Sequence, residues 1–255
     1  MSSSLAAPAL LVLATTFPAC TVPQFEAVRD VQRSHSADGL LSLRCSTHNG
    51  PIRIRGKAGQ KTIEVAAQLS ARGFSEQEAK DNVAQLDIAI ERDGTELVIR
   101  GVEPTSFDWR NQASFAYTIE LPNELMLKLQ SHNGDLEVLE TAGNLSLETH
   151  NGDIDLRASS GKLVLVTHNG AIEVAMTGTG PVGGSVETHN GSVAVEFGGR
   201  AAVVDASTHN GSIDAKGGVV TGRDDNSLRF VTGDGGAPLK VTTHNGGVRL
   251  SASAK

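Results

Sequence analysis

Aromatic residues make up only 4% of this 255-residue chain, with a single Trp and a single Tyr. Leu, Val, Ile and Ala must then supply most of the apolar volume, which suits a narrow, layered β core better than a wide globular one. Two cysteines, Cys20 and Cys45, are too few for a disulfide framework or a cysteine-based zinc site. The formal net charge of −7 gives no electrostatic reason to expect a nucleic-acid partner. Past the N-terminal stretch, no apolar run is long enough for a transmembrane helix. Glycine is plentiful, at 28 residues, as in a chain full of turns.

The stretch "LAAPALLVLATTFPAC" (Leu5–Cys20) is apolar, too short to span a bilayer, and ends in small residues. Residues 1–20 thus resemble the signal peptide of a bacterial lipoprotein, with Cys20 as the lipidation site and first mature residue. No Lys or Arg precedes the run, and Phe17 stands where an aliphatic residue is usual. An ordinary cleaved secretory signal is the alternative. Residues 21–39 read as a linker. Cys45 lies in the alternation Leu41, Leu43, Cys45, Thr47 and is expected to point inward as a small hydrophobe.

The triplet His-Asn-Gly occurs seven times and uses seven of the eight histidines. Its Asn-Gly pairs are Asn49 and Gly50, Asn133 and Gly134, Asn151 and Gly152, Asn169 and Gly170, Asn190 and Gly191, Asn210 and Gly211, and Asn245 and Gly246. From Asn133 to Asn210 the spacings are 18, 18, 21 and 20 residues. Each unit reads Leu-x-Leu-x-Thr-His-Asn-Gly-x-Ile-x-Val, with aliphatic replacements. Alternation on both sides of the triplet predicts two half-buried strands flanking a turn. By parity Thr149 continues the inward face of Leu145 and Leu147, and His150 points outward. Asn151 and Gly152 are expected to take the bend because both tolerate φ > 0. Two architectures fit this pattern. One is a meander of Asn-Gly hairpins, with Thr149 opposite Ile154. The other is a parallel solenoid in which each residue stacks on its own copy, and Thr and Asn bond from coil to coil.

The units, together with "LLSLRCSTHNGPIRIRG" (Leu40–Gly56) and "GDGGAPLKVTTHNGGVRL" (Gly233–Leu250), resemble the bacterial putative-adhesin families of unknown function. That resemblance spans about Leu40 to Leu250. It implies an all-β, single-stranded parallel β-helix, right-handed, with repeats of 18–21 residues and one short helix. The expected domain covers residues 40–255. It comprises an irregular segment 57–122, regular repeats 123–216, an excursion 217–236 and a closing repeat 237–250.

Within the irregular segment, residues 61–70 read as a strand and residues 74–84 as a helix with Ser75 and Glu78 spaced for a capping box. Residues 85–101 read as a hairpin turning at Asp93-Gly94, and residues 113–122 as another strand. This segment is expected to cover the N-terminal end of the stack.

Outward histidines on successive units would form a row, and neutral imidazole is a good ligand for zinc, copper or nickel. His132, His150, His168, His189 and His209 are the candidates. No recurring Asp or Glu completes a site, so no metal and no cofactor is expected. No nucleophile–base pair or acidic calcium site points to catalysis. Inward Thr149, Thr167, Thr188, Thr208 and Thr243 would make a flat hydroxyl array for ice or glycan only if the parity were reversed. The sequence therefore points to a non-enzymatic structural or adhesin-like interaction module of the cell envelope. It would be lipid-anchored facing the periplasm or the cell surface, or else secreted. Membrane contact would come through the lipid alone. A surface protein or a glycan is the partner class left open, and the alternative function is ligand binding along the His row.

Overall fold

The structure is a computed structural model that describes residues 23–105, 112–178 and 180–252. Cys20 and the expected signal segment, residues 1–20, lie outside the described residues. The N-terminal part runs β1 (Phe25–Ser36), β2 (Ser42–Asn49), β3 (Ile52–Lys57), β4 (Thr62–Gly73), α1 (Glu76–Ala84), β5 (Asp87–Asp93), β6 (Glu96–Val102) and β7 (Ser114–Pro122). The regular repeats give β8 (Met126–Asn133), β9 (Leu136–Leu139), β10 (Leu145–Asn151), β11 (Ile154–Ser159), β12 (Leu163–Asn169), β13 (Ile172–Met176), β14 (Gly184–Asn190) and β15 (Val193–Glu196). After them come β16 (Ala202–Asn210), β17 (Ile213–Lys216), β18 (Val219–Arg223), β19 (Ser227–Thr232), β20 (Pro238–Asn245) and β21 (Val248–Ser251).

These strands form two long sheets, of 10 and 11 strands. In each unit the Asn-Gly bend carries the chain from the longer sheet into the shorter one. The two strands flanking a triplet do not pair with each other. They pair in parallel with the same strands of the units above and below, as in Leu147↔Leu165, Thr149↔Thr167 and Ile154↔Ile172. The hairpin alternative is thereby excluded. Each strand pair around a triplet is one rung of the stack.

Inward aliphatic residues fill the space between the sheets. In one rung these are Leu145, Leu147, Ile154 and Leu156, each 2% exposed or less. Full burial of such a side chain stabilises by about 1.5–3 kcal/mol relative to exposure. Cys45 is fully buried, as its place in the alternation requires, and burial pushes its thiol pKa up. The N-terminal segment extends both sheets beyond the first rung: β6 and β5 follow β2, while β7, β4 and β1 follow β3. Ser75 caps α1, its Oγ accepting from the Glu78 N–H at 3.2 Å. Glu78 Oε2 accepts from the Phe74 N–H at 2.8 Å, one residue earlier than a capping box would have it.

Two expectations about organisation fail. Residues 25–36, read as linker, form β1, which pairs antiparallel with all of β4. Only Val31 in β1 is buried, so the strand is held by its ladder and carries no inward apolar file that would betray it. The closing repeat does not close the stack. β20 lies between β14 and β16, and β21 lies between β15 and β17. The rung of β16 and β17 is outermost, and the antiparallel hairpin β18–β19 extends the longer sheet beyond it.

Candidate functional site

The repeated residues do four different things. Each Thr points inward, and Thr149, Thr167, Thr188, Thr208 and Thr243 are all 4% exposed or less. Their hydroxyls do not bond to one another. Each donates to the triplet glycine carbonyl of a neighbouring rung, as Thr149 does to Gly134 at 2.9 Å and Thr167 to Gly152 at 2.9 Å. The hydroxyls are thus consumed inside the stack, which removes the flat hydroxyl array.

Each Asn bonds to its copy. Asn133, Asn151, Asn169, Asn190, Asn245 and Asn210 each donate Nδ2 to the Oδ1 of the asparagine before them in the stack, at 2.8–2.9 Å. Asn49 begins the ladder by donating to the Ala113 carbonyl at 3.0 Å. Seven side-chain amides therefore run head to tail along one edge. Every one satisfies its neighbour, and aligned chains of this kind polarise each other favourably.

The glycine is explained by contact, and the expected positive φ is met only at Gly50 and Gly246, with φ of 115° and 157°. None of the seven asparagines has φ > 0. A Cβ on Gly152 would stand 2.3 Å from the Gly134 carbonyl oxygen, well inside van der Waals contact. The bend brings successive backbones too close for any side chain.

The histidines point outward in one file, in the order His48, His132, His150, His168, His189, His244, His209. Neighbouring ring centroids are 4.6–4.9 Å apart. The expected row exists, with His244 inserted between His189 and His209 because its rung is inserted there. His35, on β1, stands outside it. Most pairs stack at 3–9° between planes, but His168 lies edge-on to both neighbours, at 88° and 90°. A shallow groove follows the file. It consists of cavities of about 440 and 600 Å³ that share Glu187 and His189. Glu148 and Glu187 line one side of it, and Asp224 and Asp225 close one end.

Tetrahedral zinc needs nitrogens about 3.3 Å apart, whereas stacked rings hold theirs side by side at ring spacing. Among the described residues no three His, Cys, Asp or Glu side chains form a metal-holding group.

His168 differs from the rest of the file electrostatically. Its Nδ1 is buried without a hydrogen-bond partner. Burial, then repulsion from His150 and His189, lowers its pKa below the ordinary imidazole value. The fold thus favours the neutral ring, and the unfolded chain takes up the proton more readily. Stability should fall as the pH drops below about 6.5, the unfolded value. His168→Gln should flatten that acid-side loss of melting temperature. Superimposable pH profiles for wild type and variant between about pH 5 and 7.5 would disprove the coupling.

Two features escaped the sequence reading. Asp135 and Asp153 follow the triplet in consecutive units, and their carboxylates accept the N–H of Asp153 (2.9 Å) and Ala171 (2.7 Å) in the next rung. The repeated Asn-Gly-Asp was a visible signal for that bond. The other is Arg200, only 3% exposed, whose guanidinium faces the carbonyls of Ser159, Ser160, Thr177, Gly180 and Pro181 at 3.0–3.4 Å. Desolvation lowers its pKa. Nothing in "GGRAA" marks it.

Among solved structures, a "putative cell adhesion protein" from Clostridium sporogenes aligns over 89% of this chain and 100% of its own, at 11% identity and a TM-score of 0.45. A "putative adhesin" from Bacteroides fragilis aligns over 88% and 97%, at 13% identity and a TM-score of 0.36. One from Parabacteroides distasonis aligns over the same shares, at 10% identity and a TM-score of 0.31. No curated protein matches the chain. The sequence itself carries a family signature across the whole stack: residues 38–251 match the profile of the Toastrack DUF4097 family, and the chain belongs to that family.

Proposed function

We propose that the protein is a non-enzymatic cell-envelope β-solenoid, tethered by lipid at Cys20, that acts as a structural or adhesin-like interaction module. The stack would be a single-stranded parallel β-helix wound right-handed, as parallel strand crossovers almost always are. One observation carries the reading. The Thr hydroxyl of five rungs, and Ser131 in a sixth, donates to the glycine carbonyl of a neighbouring rung, and six of the seven asparagines bond to the one before them, so the repeated motif builds an extended rigid body. Only the histidine side chain of the motif is left facing outward.

The tether is tested by fractionation. Cys20→Ser should move the protein from the membrane to the soluble envelope fraction. A variant that stays membrane-bound would refute the anchor. The second reading is ligand binding along the His file, and the continuous groove beside it favours that idea. Its imidazole edges and the carboxylates of Glu148 and Glu187 suit a linear polyhydroxylated chain better than a metal ion.

A further inference from the structure

The order of the rungs departs from the order of the chain at one place, and that place has the geometry of an exchangeable part. β15 leads into β16 through residues 197–201, yet these two strands belong to rungs two levels apart. On the side where that connection runs, the flanking rungs already touch: Pro181 bridges Ala201, and the Val182 N–H donates to the Ala201 carbonyl at 2.9 Å. From Ala237 onward they are held apart by β20 and β21.

The inserted repeat meets both neighbours through contacts that the rungs of β10, β12, β14 and β16 also make. Thr243 donates to the Gly191 carbonyl at 2.8 Å, and Thr208 donates to that of Gly246 at 2.9 Å. Asn245 bonds Asn190, and Asn210 bonds Asn245, both at 2.8 Å. Leu239, Val241, Val248 and Leu250 fill the core between the sheets. Nothing in this set depends on which chain the repeat belongs to.

The inserted repeat is reached from β19 through a connector, "GDGGA" (Gly233–Ala237). β19 lies on one side of β16 and β20 on the other, with Thr232 opposite Ala202 and Pro238 opposite Val203. The five residues therefore wrap round the start of β16. Gly233 and Gly235 have φ of 60° and 80°, and all of the connector but Gly235 is exposed. It is a hinge on the outside of the molecule.

We propose that residues 238–251 form an exchangeable rung, and that a second copy of this chain can supply it in trans, giving a reciprocal strand-swapped dimer. Without the repeat, the facing edges of β14 with β15 and β16 with β17 are open strands bearing the same motif. Open edges are templates for pairing. The segment that fits them with complete Thr, Asn and core complementarity is the same repeat from another copy. Such exchange is a low-cost route to dimers because it creates no new type of contact. In cis the tether keeps the effective concentration high, so the monomer wins in dilute solution and exchange grows towards millimolar protein. This gives the interaction module a partner, and it does not depend on the lipid tether.

The test uses the full chain with Cys20→Ser, Glu187→Cys and Thr242→Cys. Glu187 and Thr242 are register partners across β14 and β20 and face outward. The protein is unfolded and refolded at low and at high concentration, and a short thiol cross-linker is applied to the isolated monomer and dimer. The monomer should link within its chain, and a dimer fraction that grows with concentration should link between chains. A second variant deletes residues 234–236. The two connector residues left can extend about 10 Å. That only matches the roughly 9.6 Å between β19 and β20 and leaves nothing for the detour round β16. This variant should be dimeric, with inter-chain links, even at low concentration. The inference is overturned if dimers carry only intra-chain links, or if the shortened variant is a folded monomer with intra-chain links. If the deletion prevents folding, the intact-hinge protein decides: no inter-chain link at any concentration overturns it.

Discussion

Gly170→Ala should destabilise the protein by more than about 4 kcal/mol or prevent folding, the range reserved for a side chain forced into space the core cannot release. The added Cβ would sit 2.0 Å from the Gly152 carbonyl oxygen and 2.6 Å from its carbon. That carbonyl cannot swing aside. It accepts the Thr167 hydroxyl at 2.9 Å, and the Gly152 N–H donates to the Asn169 carbonyl at 3.1 Å. Relief would require parting two rungs and stretching the Asn bond between them, 2.8 Å from Asn169 to Asn151. Gly94 is the control. It has φ of 59° at the β5–β6 turn and no atom within 4 Å of the place a Cβ would take. Gly94→Ala should cost only the left-handed backbone penalty, about 1–2 kcal/mol. Denaturant melts of the two variants compare contact with conformation. Equal losses would mean that close approach does not select the glycine.

That comparison also marks how far the sequence could be read. A period of two in Leu145, Leu147, Thr149 and again in Ile154, Leu156 fixes which side chains face the core, because a strand offers only two faces. Thr149 inward and His150 outward follow from that alone. The cause of the glycine did not follow, since Asn-Gly is equally the signature of a φ > 0 turn and of a bend under close stacking. Only the distance between rungs separates the two. Rung order was hidden for a related reason. The units are so alike that any one fits against any other, so the sequence of β16, β17, β20 and β21 does not record that the last pair inserts. β1 was missed because an edge strand held by its main chain needs no inward apolar file. In the candidate site, the His file was legible as a row. The edge-on His168 was not, because its ring orientation depends on neighbours in adjacent rungs.

Arg200 is the largest omission, and Arg200→Met tests what it does. The guanidinium is a cation taken out of water with carbonyl oxygens around it. Among the described residues no carboxylate pairs with it: Nη1 donates to Ser159 and Thr177, Nη2 to Ser160 and Pro181, and Nε to Gly180. Its own carbonyl accepts the Thr232 hydroxyl at 3.1 Å, so the same residue ties the outer hairpin to the corner. Two effects oppose each other. Replacing a buried charge with an apolar side chain of similar length often stabilises, because the desolvation cost disappears. Here the acceptors would stay behind, and a buried carbonyl left without a donor costs about 1–3 kcal/mol; Ser159 is buried and Ser160 half-buried, whereas Thr177, Gly180 and Pro181 are exposed and can turn to water. With carbonyls from two separate connections at stake, residues 159–160 and 177–181, the second effect should win. Arg200→Met is expected to lose about 1–3 kcal/mol in denaturant melts. Arg200→Lys keeps the charge but not the planar fork, and should recover less than half of that loss. A methionine variant as stable as the parent would show that the cation is tolerated at this corner and does not hold it together.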